Sequence, residues 1–79
     1  MHLADLRKGA RARVTSVDGA SPIGVRLLEL GFVPGTEVVC LGAAPLGDPL
    51  LFEVRGARMA IRAREAASVS VAPLAKPAP

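Results

Sequence analysis

The sequence predicts an all-β fold, a small five-stranded barrel with one short helix after the first strand. Apolar and polar residues alternate in several short segments, which is the period of a half-buried strand. Gly, Pro and Asp residues separate these segments and are typical of tight turns. A closed barrel hides the strand edges that five short strands would otherwise expose.

The first predicted strand spans residues 11–17, where Ala12 and Val14 alternate with polar neighbours. Asp18-Gly19 then indicates a turn. A second strand rich in β-branched residues is predicted for residues 36–41, after the turn-forming pair Pro34-Gly35. Residues 44–49 contain two prolines and a glycine, and they predict a loop.

A helix of about nine residues is predicted between these two strands. Ser21 is suited to the N-cap because its hydroxyl accepts a hydrogen bond from a free backbone N–H. Pro22 fits the first helical position, and Gly31 fits the left-handed residue that ends a helix. Three apolar residues share the face predicted to be buried: Ile23, Leu27 and Leu30. Three others are predicted to point away from it: Val25, Leu28 and Glu29.

Residues 50–55 and 58–62 predict a β-hairpin with Gly56-Ala57 as its two-residue turn. This register places Val54 opposite Met59 and Phe52 opposite Ile61 on the inner face. It also places Arg55 opposite Arg58, and two like charges require that the outer face be in water.

The end of the chain is predicted to contain one helical turn at residues 64–67 and a last strand at 68–71, with Val69 and Val71 facing the core. We therefore expect one domain over residues 1–72. Residues 73–79, which are rich in proline and alanine, are expected to form a flexible tail.

Composition restricts the function. The 79 residues suffice for one domain, and the formal net charge of +3 raises the expectation of an acidic partner. Only 3% of residues are aromatic, so the chain has almost none of the side chains on which a single-strand nucleic-acid binder stacks bases. The single Cys40 cannot form an intrachain disulfide. Without a signal peptide or an apolar run of membrane-spanning length, a soluble cytoplasmic protein with no direct membrane insertion is expected.

Neither a catalytic centre nor a metal site is predicted. His2 is the only histidine and is expected to be a solvated surface residue, and Cys40 is expected to be a small buried hydrophobe. Without an internal histidine there is no general base for a triad. Asp48 lies between Gly47 and Pro49, where an aspartate commonly caps a turn. No enzyme activity and no cofactor are expected.

Four segments, taken in order, match the pattern of a known family. Residues 26–36, Arg-Leu-Leu-Glu-Leu-Gly-Phe-Val-Pro-Gly-Thr, resemble the family signature. Residues 44–49 resemble its Pro-Gly-Asp-Pro-type loop. The family's opening is matched by Leu3, Leu6 and Gly9, and its closing segment by Arg62, Glu65, Ala66, Val69 and Val71. The family that these segments resemble is FeoA, ferrous iron transport protein A.

The resemblance implies an SH3-like barrel in the bacterial cytoplasm that assists the FeoB ferrous-iron transporter by contacting its cytosolic G-protein portion (its GTPase domain). The same domain forms the C-terminal module of DtxR-type metal-dependent repressors, so a stand-alone relative of that module is an alternative. Weak self-association is left open. Seven residues are the candidates for docking onto the partner: Val25, Arg26, Leu28, Glu29, Leu46, Asp48 and Arg62.

For Arg26, Glu29, Arg62 and Glu65 the simpler interpretation is local ion pairing between the helix and the closing turn. A second hypothesis for the whole protein is a small basic nucleic-acid-binding barrel, based on the net charge and on Arg55, Arg58 and Arg62. Affinity that falls steeply with salt would indicate nucleic acid, because counterions are released on binding. A docking module would not bind generic DNA or RNA, and we expect that this chain binds no nucleic acid.

Overall fold

The computed structural model describes residues 1–74. A short 3-10 helix at Leu3–Asp5 is followed by seven elements: β1 (Arg11–Val17), α1 (Pro22–Leu30), β2 (Glu37–Ala43), β3 (Leu50–Val54), β4 (Ala57–Ile61), α2 (Ala63–Ala66) and β5 (Val69–Pro73). The strands form one antiparallel sheet in the order β4-β3-β2-β1-β5. The predicted all-β class, with five strands and one short helix after the first, is confirmed.

The core is built from aliphatic side chains of every strand around an edge-to-face pair, Phe32 and Phe52, whose ring centroids lie 6.3 Å apart. In β1, Ala12 and Val14 are buried while Arg13 is exposed, as the alternation predicts. Cys40 is buried in β2, also as predicted. The residues described contain no helix of the length and apolarity needed to cross a bilayer.

Both ends of α1 are confirmed. The Ser21 Oγ accepts a hydrogen bond from the Gly24 amide at 2.9 Å, and Pro22 is the first helical residue. Gly31 follows the last residue with φ of +114°, so it ends the helix in the left-handed conformation.

The predicted buried face of α1 is right for Leu27 and wrong for Ile23 and Leu30. Leu27 is fully buried, but Ile23 and Leu30 remain 40% and 42% exposed. The side that faces the core instead carries Gly24, Leu27 and Gly31, with Leu28 half-buried beside them. The reason is a close contact with the preceding turn, because a Cβ on Gly24 would lie only 1.7 Å from the Asp18 carbonyl oxygen.

The predicted register of the β3–β4 hairpin is also wrong, by two residues. The turn is Arg55-Gly56, with φ of +53° and +79°, and Val54 pairs with Ala57. Two positive φ values are the mark of a type I′ turn, whose twist matches that of the strands. A shift of two residues preserves the faces, so Phe52 and Ile61 are buried as predicted. The predicted Arg55–Arg58 pair is replaced by Glu53 opposite Arg58.

The last strand is longer than predicted. Val69 and Val71 face the core as expected, but the strand continues to Pro73, and the Leu74 amide donates to the Arg11 carbonyl at 2.9 Å. Of the predicted tail, residues 75–79 lie outside the described part of the chain. The division into a domain of residues 1–72 and a tail of residues 73–79 stays a prediction.

Candidate docking surface

The loop between β2 and β3 presents one leucine almost entirely to solvent. Leu46 is 96% exposed. The loop beneath it is closed by two backbone hydrogen bonds, from the Ala44 amide to the Pro49 carbonyl at 2.9 Å and from the Gly47 amide to the Ala44 carbonyl at 2.7 Å. A leucine held at the tip of a hydrogen-bonded loop loses little conformational freedom when a partner covers it.

Asp48 connects this loop to α2. Its Oδ1 accepts a hydrogen bond from the Ala63 amide at 2.9 Å, so the carboxylate caps the first residue of α2. The sequence predicted a cap within the residue's own turn, whereas the structure shows one across 15 positions of the chain. Arg62, exposed and immediately before α2, therefore lies next to the base of the loop.

An ion pair connects α1 to the same short helix. Arg26 Nη2 lies 3.0 Å from Glu65 Oε1, and the Glu65 side chain is only 13% exposed while that of Arg26 is 55% exposed. The predicted ion pairing between the helix and the closing turn is thus confirmed for these two residues. Glu29 and Arg62 take part in no ion pair within residues 1–74. Arg26 and Asp48 thus both contact α2, and Arg62 is the residue that immediately precedes it.

The exposed surface of α1 differs in part from the predicted one. Val25 is 42% exposed, and Glu29 is also exposed, as predicted. Leu28, predicted to be exposed, is half-buried, and its Cδ1 would lie 3.9 Å from a Cβ on Gly19. Leu28 therefore supports the helix on the preceding turn more than it offers contact to a partner.

Sequence reasoning missed two exposed apolar residues of α1, Ile23 and Leu30. They lie three and four residues on either side of Arg26, so helical geometry places all three on one flank. The available signal was Gly24, since a glycine within a predicted helix often marks close approach of another backbone segment. A helix that approaches its neighbour through Gly24 must turn Ile23 and Leu30 away from the core.

The residues considered for metal binding are placed as follows. The His2 side chain is exposed, and the His2 amide donates to Asp5 Oδ2 at 2.8 Å within the first turn. Cys40 Sγ lies 3.6 Å from the Leu6 carbonyl oxygen. Within residues 1–74, no cluster of three or more His, Cys, Asp or Glu side chains is arranged to hold a metal ion.

Comparison with known proteins gives a consistent match. The FeoA domain family model matches residues 1–73. A fusion of Fe(2+) transport protein A with the Fe(2+) transporter FeoB, from Porphyromonas gingivalis, is 32% identical over 71 residues. That alignment covers 90% of this chain but only 8% of the fusion protein.

Two solved structures share the architecture. An FeoA-like protein from Clostridium acetobutylicum superposes with a TM-score of 0.90 and 27% identity, over 99% of this chain and 91% of its own. FeoA of Stenotrophomonas maltophilia, solved with zinc and described as a prokaryotic SH3 domain protein, has a TM-score of 0.81 and 41% identity, over 91% and 89% of the two chains. The predicted SH3-like fold is confirmed.

Proposed function

Because the chain belongs to the FeoA family, we propose that it is a non-catalytic accessory protein of bacterial ferrous iron uptake that acts in the cytoplasm. It docks onto the cytoplasmic G-protein portion of a FeoB-type transporter and regulates that transporter. The observation that carries this proposal is the Porphyromonas gingivalis relative, which combines the two proteins in one polypeptide. A covalent link greatly raises the effective concentration of one unit at the other, and this benefits units that act in contact.

The proposed docking surface includes the seven residues that the sequence singles out and the two that it missed. Val25, Arg26 and Glu29 supply exposed positions on α1, and Leu28 contributes from its half-buried site. The other members are Leu46 and Asp48 in the loop, Arg62 before α2, and Ile23 and Leu30 on α1. Apolar side chains grouped with a few charges are typical of protein interfaces.

Leu46 is the residue expected to contribute most to docking. Its side chain buries almost nothing in this structure, so a partner pocket that covers it removes nearly the whole side chain from water. Complete burial of a leucine side chain stabilises by about 1.5–3 kcal/mol. Its exposure also means that its replacement leaves the fold intact.

Calorimetric titration of this chain against the purified G domain of a FeoB-type transporter from the same organism tests the proposal. We expect saturable binding, and we expect Leu46→Ser to weaken it about tenfold or more, from the lost burial. Leu51→Ser is the matched control, because Leu51 is a leucine that is 38% exposed on the outer face of β3 and is not one of the nine residues of the proposed surface. Thermal unfolding of both variants verifies that they are folded.

Two results would contradict the proposal. Failure of the wild-type chain to bind the G domain would remove the docking function itself. Equal weakening by Leu46→Ser and Leu51→Ser would leave docking in place and show that the loop is not its centre.

A further inference from the structure

The two edge strands of the sheet differ in whether another segment of the chain pairs with their outer side. The outer edge of β5 is covered by the N-terminus, since the Val71 amide donates to the Met1 carbonyl at 2.9 Å and His2 forms a bridge with Ser70. Within residues 1–74, the strand at the other edge, β4, pairs only with β3. One edge is therefore closed by the chain itself, whereas the other remains open, so the strands do not hide both edges as the predicted closed barrel would.

The open edge has unused backbone groups at defined positions. Val54 and Ala57 flank the two-residue turn, so they form a hydrogen-bonded pair, and such pairs alternate with non-hydrogen-bonded ones along the ladder. Arg58 and Ala60 fall at the non-hydrogen-bonded positions, so their N–H and C=O groups point away from β3. Within residues 1–74 these groups have no backbone or side-chain hydrogen-bond partner.

The side chains leave this edge accessible. Ala57, Arg58 and Ala60 are exposed, while Met59 is half-buried and Ile61 is buried. A strand placed against β4 would thus meet small side chains and an apolar inner surface. It would extend a sheet that is already antiparallel throughout.

The charge around this edge is strongly basic. Four exposed arginines lie in or beside β4: Arg55, Arg58, Arg62 and Arg64. None of them takes part in the ion pairs of residues 1–74. The one acidic residue of the hairpin, Glu53, lies opposite Arg58. Unpaired guanidinium groups favour carboxylates, which they bind through two parallel hydrogen bonds.

We propose that the β4 edge binds an extended, acidic segment of a partner protein by antiparallel strand addition. The backbone groups of Arg58 and Ala60 pair with the added strand, and the arginines select its acidic side chains. This goes beyond the docking function proposed above by assigning a second surface, which shares Arg62 with the first, together with a binding mode and a ligand chemistry. It is tested with peptides, so its failure and that of transporter docking are distinguishable.

The geometry specifies the pattern of the bound segment. In an antiparallel pair, residues directly opposite each other have side chains on the same face. Carboxylates opposite Arg58 therefore lie on the outer face of the sheet. Arg62, four residues further along, is on the same face because side chains alternate. Apolar residues of the segment lie on the inner face, next to Met59. The segment is expected to alternate acidic and apolar residues.

Two other occupants fit the observations less well. A second copy of this chain, paired edge to edge through β4, would bring two sets of arginines together, and such like charges oppose sheet pairing. Nucleic acid would satisfy the arginines but would leave the backbone groups of Arg58 and Ala60 unpaired. Strand addition by an acidic segment would pair both the arginines and the backbone groups of Arg58 and Ala60.

The first test uses a synthetic peptide of alternating Glu and Val, of about eight residues so that it exceeds the length of β4. Titration of the isotopically labelled protein should shift the amide resonances of Arg58 and Ala60 and slow their hydrogen exchange. N-methylation of the Glu residues should abolish binding, because their N–H groups face β4 in antiparallel pairing. N-methylation of the Val residues should leave binding intact. Any other pattern overturns the proposed pairing.

The second test exchanges charges. Arg58→Glu should weaken binding of the Glu-Val peptide about tenfold, since one cross-strand attraction becomes a repulsion. The same variant should gain affinity for a Lys-Val peptide. Arg7→Glu is the matched control, because Arg7 is an exposed arginine near the N-terminus, and it should leave affinity for either peptide nearly unchanged.

Three further results would overturn the proposal. In the first, a Lys-Val peptide binds the wild-type protein as well as the Glu-Val peptide does. In the second, a DNA or RNA oligonucleotide displaces the acidic peptide, with an affinity that falls steeply as salt rises. In the third, sedimentation shows a dimer that Arg58→Glu strengthens and that the peptide does not affect.

Discussion

At the scale of single residues, Gly24 decides how α1 sits on the sheet. The absence of a side chain lets the Asp18 carbonyl approach the helix to a distance at which a Cβ would lie 1.7 Å from the oxygen. This contact turns the helix so that Ile23 and Leu30 are exposed and Leu28 is half-buried. One glycine thereby changes which apolar residues are available to a partner.

We expect Gly24→Ala to lower the free energy of unfolding by about 2 kcal/mol, because the added methyl group forces the helix and the turn apart. Alanine favours a helix over glycine by about 1 kcal/mol, so intrinsic propensity predicts the opposite sign. Urea denaturation measures the difference.

Gly19→Ala is the matched control for this substitution. A Cβ on Gly19 would make only an ordinary contact, 3.9 Å from Leu28 Cδ1, and we expect a change within about 0.5 kcal/mol. Equal stability of the two variants would show that the Gly24 contact does not position α1.

At the scale of elements, α2 is short and depends on contacts from distant parts of the chain. It has four residues, and a helix of one turn has little stability of its own. Asp48 caps its first amide from the β2–β3 loop, and Arg26 holds Glu65 from α1. Contacts with α2 therefore help to hold two of the candidate docking residues, Arg26 and Asp48, in place.

Asp48→Ala is expected to lower the free energy of unfolding by about 1 kcal/mol, the usual cost of losing a helix cap. Asp48→Asn retains an oxygen acceptor for the Ala63 amide and should retain most of the stability. Urea denaturation compares the two variants. Equal destabilisation by both would show that the carboxylate charge, and not the cap, is responsible.

At the scale of the whole molecule, the N-terminal segment is part of the core and not an extension of it. Leu3 is fully buried, and Leu6 is 8% exposed, although both precede the first strand. The Met1 carbonyl also pairs with β5, the last strand. The two ends of the described chain therefore close the fold together.

Leu3→Ala is expected to lower the free energy of unfolding by about 3 kcal/mol, because it leaves a cavity in the core. Leu46→Ala removes the same atoms from a site that is 96% exposed and should change stability by less than about 0.5 kcal/mol. Thermal and urea denaturation of both variants check this contrast. A small effect at Leu3 would mean that the first turn is peripheral.

Much of the local structure was predictable because neighbouring residues determine it. Ser21, Pro22 and Gly31 set the ends of α1 through hydrogen bonds and φ preferences that act within a few residues. The alternation in β1, β3 and β4 determined which side chains are buried, and it did so even where the register was wrong by two residues, since side chains repeat with a period of two.

For the candidate site, residue types were predictable but their arrangement was not. The exposure of Leu46 follows from its place between Pro45 and Gly47 in a loop. Ion pairing between the helix and the closing turn was predicted for four residues, but the sequence did not single out Arg26 and Glu65, which are 39 positions apart. The cap from Asp48 to Ala63, across 15 positions, follows from no local pattern.

The sequence by itself determined the fold class, the ends of α1 and the inner and outer faces of the strands, because these depend on short-range sterics, capping and alternation. Only the tertiary structure decided the rotation of α1, the hairpin register, the contacts of α2 and the contrast between a covered β5 edge and an open β4 edge. Those features depend on which distant segments meet, and that is set by packing the whole chain around one core.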